Sequence, residues 1–185
     1  MDKMDYRHRS EEESTFNNTW IGWLNCTALG VLLEVDRDGD DWMMRACDVL
    51  ALAVVDWLGP EGAKIVKVNR WQEGKMVATE HYAVRVGAWY LDGNGVASKA
   101  EILQEVEETL EEYEGYDGGE LKCVAMKAKE MAEWRNADNR GGWGRKHSST
   151  ELLKLIEGKF DKSKLWFVES LEKPTVAETA PAMEL

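Results

Sequence analysis

His81 and Asp92 are the residues whose types and spacing point most directly to chemistry. They fall in HYAVRVGAWYLDGNG, residues 81–95, a stretch that predicts a β-hairpin. Gly87-Ala88 suits a two-residue type II′ turn, in which glycine takes the positive φ at the first central position. That turn sets Val86 against Trp89, Arg85 against Tyr90 and Ala83 against Asp92. Side chains alternate faces along a strand, so His81, Ala83, Arg85, Tyr90 and Asp92 share one side. His81 and Asp92 become diagonal neighbours, roughly 7 Å apart between backbones and within side-chain reach across small Ala83. A carboxylate beside an imidazole fixes its tautomer and stabilises the imidazolium, which is the orienting half of a nucleophilic triad. Cys47 is the leading candidate for the nucleophile. In that reading Cys47 attacks, His81 serves as base and then acid, and Asp92 orients His81.

Each of these residues also has a plainer role. A free cysteine is most often a small buried apolar residue, and that describes Cys47 and, in LKCVAM, Cys123. His81 could be a strand histidine bonded to a neighbour. Asp92 could be an Asx residue stabilising the turn into Gly93-Asn94-Gly95. Cys26 is a fallback nucleophile, because Asn25 could cap a helix starting there. His8 and His147 stand in polar or glycine-rich segments and are expected at the surface.

The elements that must position these groups follow from pattern. Residues 1–15 read as a polar tail, and the apolar run from Thr19 to Val35 as a buried helix weakened by Gly22 and Gly30. DRDGDD, residues 36–41, is a turn. It is not a calcium loop, since Asp41 holds the position that needs glycine and Cys47 the one that needs an acid. Asp41 to Leu58 is the strongest helical segment, N-capped by Asp40 or Asp41 and stopped by Gly59-Pro60. Its run VLALAVV is apolar on every side, so the helix should be enclosed. A start at Asp41 places Cys47 nearly two turns inside; Cys47 reaches the helix start only if DWMMRA is a loop.

Strands are expected at Lys64–Trp71, Met76–Val86 and Trp89–Asp92, forming a three-stranded meander. Ser98 to Tyr113 is an acidic amphipathic helix opened by a Ser98–Glu101 capping box. Leu121 to Trp134 reads as helix, with a strand at LKCVAM as the alternative. Residues 136–149 read as a flexible loop, followed by short helices at Thr150–Ile156 and Ser163–Glu172. The Trp residues are expected mostly in the core, with a substrate cleft as the second possibility.

The order of Cys47 on a buried helix, His81 on a strand and Asp92 on the adjacent strand resembles papain-like and transglutaminase-like cysteine enzymes. More narrowly, CDVLALAVVDWLG followed by HYAVRVGAWYLDGNGV is similar to a pattern in small uncharacterised bacterial and phage proteins. There a Cys-led helix precedes a histidine strand and an aspartate ahead of a glycine. The resemblance covers roughly residues 45–103. It implies an α+β fold with a central helix packed on an antiparallel meander, and a Cys-His-Asp site for acyl transfer at an amide or thioester without metal or organic cofactor. Such folds host several acyl chemistries, so the substrate is not implied.

The corresponding division is a tail at 1–15, an α+β core domain at 16–115, an accessory helical region at 116–172 and a tail at 173–185. With 35 acidic and 23 basic residues, the net charge of -12 argues against direct nucleic-acid or anionic-membrane binding, which needs clustered cations. No apolar run reaches the roughly 18 residues that span a bilayer, and the charged amino terminus lacks a signal-peptide core, so a cytoplasmic protein is expected. Three widely spaced cysteines suit reduced thiols and show no zinc-ligand spacing. The competing functional class is a non-catalytic acidic binder, such as a viral-type inhibitor or nucleic-acid mimic. It would dock EILQEVEETLEEYEGYD, residues 101–117, on a basic partner surface.

Overall fold

In the computed structural model the residues described are 10–28, 42, 46–112, 116–136 and 145–168, without the side chains of 145–148. The DRDGDD turn, His8, the His147 side chain and the tail from 173 onward lie outside them. The chain is a mixed α+β protein: five α-helices and one antiparallel five-stranded sheet among the described residues.

Helix α1 spans Glu11–Cys26. It starts within the stretch expected to be a tail, because Ser10 caps it by accepting a hydrogen bond from the Glu13 amide. Glu11, Glu12 and Glu13 then occupy the first turn, where the helix dipole favours anions. Helix α2 spans Cys47–Leu58, and all of it except Asp56 and Leu58 is buried. Gly59 ends it at a φ of 93°, a conformation that costs glycine little, and donates its amide to the Val55 carbonyl.

The strands follow in a meander: β1 (Ala63–Gln72), β2 (Lys75–Val86), β3 (Trp89–Asp92) and β4 (Gly95–Ala97). Glu73 and Gly74 both have positive φ, as a tight type I′ turn requires. Gly87 has a φ of 60° and Val86 pairs with Trp89, as the two-residue turn predicts. After β4 the capped helix α3 (Lys99–Glu111) crosses to the far edge of the sheet, where β5 (Glu120–Ala125) pairs with β1. The sheet order is therefore β4-β3-β2-β1-β5. Helices α4 (Ala128–Asn136) and α5 (Arg145–Lys159) complete the chain, followed by a short 3-10 turn at Lys162–Lys164.

Alternating strand residues split into two apolar layers. Ile65, Val84, Val86, Leu91 and Val96 join the main core with α1, α2 and α5. Val66, Val68, Ala83 and Tyr90 pack under Ile102, Val106 and Leu110 of α3. Each fully buried Val, Leu or Ile contributes about 1.5–3 kcal/mol, so this double layer is what holds the sheet flat against its helices.

Several boundaries differ from expectation. Strand β5 belongs to the sheet, and Leu152, Ile156 and Phe167 lie in the main core. LKCVAM is strand up to Ala125, and the helix follows it. Residues 145–149 belong to α5 rather than to a loop. Helix α4 is clasped to the body by an ion pair between Lys67 and Glu130 and by Arg135, which donates to both Asp56 oxygens at 2.9 and 2.6 Å.

Candidate active site

Cys47 is the first residue of α2 rather than lying two turns inside it. Trp42 lies in a turn and Ala46 in a bend, so the helix does not run continuously from Asp41. Ala46 offers no side-chain cap; the Val49 amide is instead met by Asp48 Oδ1 at 2.8 Å. The Cys47 amide, within the first turn, has no carbonyl four residues back inside the helix. The helix dipole and this amide both favour negative charge at the position Cys47 occupies.

His81 lies on β2 and is fully buried, at 0% exposure. Strand β3 pairs with β2 only from Val84 to Val86, so among the described residues the edge of β2 beside His81 carries no third strand. The pairing of β2 with β1 also slips just past His81, so its ring is not confined within a continuous ladder. The ring makes hydrogen bonds to Asp92 and to Cys47. Its Nε2 lies 3.0 Å from Asp92 Oδ2, which leaves Nδ1 as the ring nitrogen for the thiol.

These partners set the charge of the ring. Burial is the largest influence and disfavours the imidazolium. The hydrogen bonds to Asp92 and Cys47, with the charges of both, outweigh it and push the His81 pKa up to about 10. The direction of the shift favours the protonated ring, which would donate to the Asp92 carboxylate. Cys47 is 5% exposed and Asp92 2%, so both are buried beside the ring.

Asp92 is held by all three of its oxygens. Oδ2 meets His81, Oδ1 accepts from the Asn94 amide at 2.8 Å, and the main-chain carbonyl accepts from Trp20 Nε1 at 2.7 Å. The turn-stabilising and ring-orienting roles of this aspartate are thus not alternatives; one carboxylate oxygen serves each. Next to it, Asn17 of α1 accepts from the Val96 amide at 2.7 Å and donates to the Val96 carbonyl at 3.0 Å. Sequence reasoning did not find this role for Asn17 or Trp20. The only local signal is an asparagine inside a helix, where its side chain usually competes with the backbone.

The other candidates lie elsewhere. Cys26 is exposed at the last residue of α1, where the helix dipole opposes a thiolate. Cys123 is on β5, packed between the two apolar clusters beneath α3, and burial raises its pKa. Of the described tryptophans, Trp20, Trp23, Trp42 and Trp57 are core. Among the described residues no cluster of three His, Cys, Asp or Glu side chains is arranged to hold a metal ion, and no helix is long and apolar enough to cross a membrane. No protein-family profile, curated protein or solved structure matches the chain.

Proposed function

We propose that the protein is a cysteine-dependent hydrolase or acyltransferase acting on an amide or thioester. The observation that carries this reading is the hydrogen-bonded chain Cys47–His81–Asp92, with Cys47 at the first position of the buried helix α2. Burial alone disfavours an imidazolium, the partners of His81 reverse that, and strongly perturbed groups of this kind concentrate at reaction centres. A central helix led by cysteine against an antiparallel sheet also favours the papain-like or transglutaminase-like resemblance.

In this mechanism the Cys47 sulfur forms a bond to the substrate carbonyl carbon, and the carbonyl oxygen takes up the negative charge near the Cys47 amide. His81 then delivers its Nδ1 proton to the departing nitrogen or sulfur as that bond breaks, leaving a thioester on Cys47. Water, or a second acceptor, gives its proton to His81 as it attacks the thioester, and the sulfur leaves to restore the starting pair. Asp92 keeps Nε2 engaged throughout, so that Nδ1 faces the reaction.

Site-resolved iodoacetamide labelling across pH, in the native protein and in His81→Ala, tests this. The expected result is a Cys47 rate at pH 6 already close to its high-pH plateau, at least ~10-fold above the fraction an ordinary thiol would give. His81→Ala should restore an ordinary profile. An ordinary profile in the native protein would remove the triad. The exposed acidic row Glu107, Glu108, Glu111 and Glu112 along α3 would then be the functional surface, docking on a basic partner.

A further inference from the structure

We propose that Asn17 and Trp20 of α1 are positioning residues for Asp92, holding the β3–β4 turn so that its carboxylate stays on His81. Asp92 ends a four-residue strand, and β4 beyond the turn has three residues. Strands this short have few ladder bonds of their own, and β4 is an edge strand. In an antiparallel pair, alternate residues direct both main-chain groups toward or away from the partner. The outward-facing N–H and C=O of Val96 go to the Asn17 carboxamide, which stands where the peptide of a neighbouring strand would be.

The fit is close. A Cβ on Gly95, whose φ is 98°, would stand 2.3 Å from Asn17 Oδ1, so the turn and the asparagine are mutually fitted. Asn17 is 4% exposed, and its buried carboxamide spends one N–H and its oxygen on a single backbone residue. Trp20 is completely buried and grips the Asp92 carbonyl directly, while its ring stacks on Phe16 and Trp57. Helix α1 thus supplies the rigidity that the short strands lack. The catalytic consequence rests on the function proposed above; the positioning itself does not.

The experiment follows the His81 ring by NMR through its titration, alongside Cys47 alkylation, in the wild type, Asn17→Ala, Trp20→Phe and Asp92→Asn. Leu24→Val, a change in the buried face of the same helix that touches no hydrogen bond, is the control. The expected result is that Asn17→Ala and Trp20→Phe each lower the His81 midpoint by at least ~1 pH unit, toward Asp92→Asn, while unfolding stays cooperative and Leu24→Val leaves it in place. Cys47 alkylation at pH 6 should fall ~10-fold in the same two variants. An unchanged His81 midpoint in both would overturn the positioning role, as would an equal fall in Leu24→Val. If one variant fails to fold, the other decides. A native Cys47 with ordinary reactivity, together with a His81 midpoint that still depends on Asn17, would refute the enzyme and keep the clamp.

Discussion

Replacing Asp92 with asparagine should cost stability in a strongly pH-dependent way. The substitution keeps the size of the side chain and an oxygen for the Asn94 amide, but it removes the negative charge beside a fully buried ring. The rise of the His81 pKa from 6.5 to about 10, at about 1.4 kcal/mol per factor of ten in proton affinity, is a net gain of about 5 kcal/mol after the opposing cost of burial. Breaking a buried charged pair typically costs about 3–5 kcal/mol, the magnitude expected here. Because the pKa is raised on folding, this stability is complete below pH 6.5 and disappears as the pH rises through about 10. Urea unfolding of wild type and Asp92→Asn at pH 6 should therefore differ by about 3–5 kcal/mol. With a slope of roughly 2 kcal/mol per molar urea, the midpoint falls by about 1.5–2.5 M. The gap should close as the pH approaches 10. A difference below about 1 kcal/mol at pH 6, or one that does not change with pH, would refute a charged His81 held by Asp92.

Two further substitutions test the surroundings. Gly95→Ala forces a side chain into left-handed backbone and onto Asn17 Oδ1, which should cost about 2–4 kcal/mol from strain and lost hydrogen bonds. Calorimetry should then register a fall in Tm of about 5–15 °C, and the Cys47 labelling profile should move toward that of an ordinary thiol. Ser98→Ala removes the α3 cap, where Ser98 accepts from the Glu101 amide at 3.3 Å and Glu101 reaches back to the Ser98 amide at 2.7 Å. It should cost about 1 kcal/mol, a fall of about 2–4 °C in Tm, with no change in His81 titration; a shift in that titration would mean that the α3 cap and the site are coupled.

The parts of this molecule that depend on local pattern were legible in its sequence. Gly87-Ala88 fixed the register of β2 and β3 and so brought His81 to Asp92. The Ser98–Glu101 box marked the start of α3, and the apolar run VLALAVV marked a central helix. Helix starts without a pattern were not legible. EEEST carries no apolar period, so the pattern starts the helix only at Thr19, whereas Ser10 caps it. Asp41 is a far better cap by type than Ala46, yet α2 begins after Ala46, where backbone and the Asp48 side chain do the work. Strand β4 has too few residues to alternate visibly. The Asn17 and Trp20 contacts reach 79 and 72 residues along the chain to main-chain atoms, which leave no trace in side-chain identity.

That long reach has a consequence for the protein during its synthesis. Helix α1 leaves the ribosome well before the turn it grips, since Asn17 and Val96 are 79 residues apart. At about 5–20 residues per second, the interval is about 4–16 s. Cys47 emerges within that interval, 45 residues ahead of Asp92, so for about 2–9 s its thiol is exposed as an ordinary side chain without its partners. The contacts of Asp92 would form late and together, when the second hairpin docks on a helix made seconds earlier.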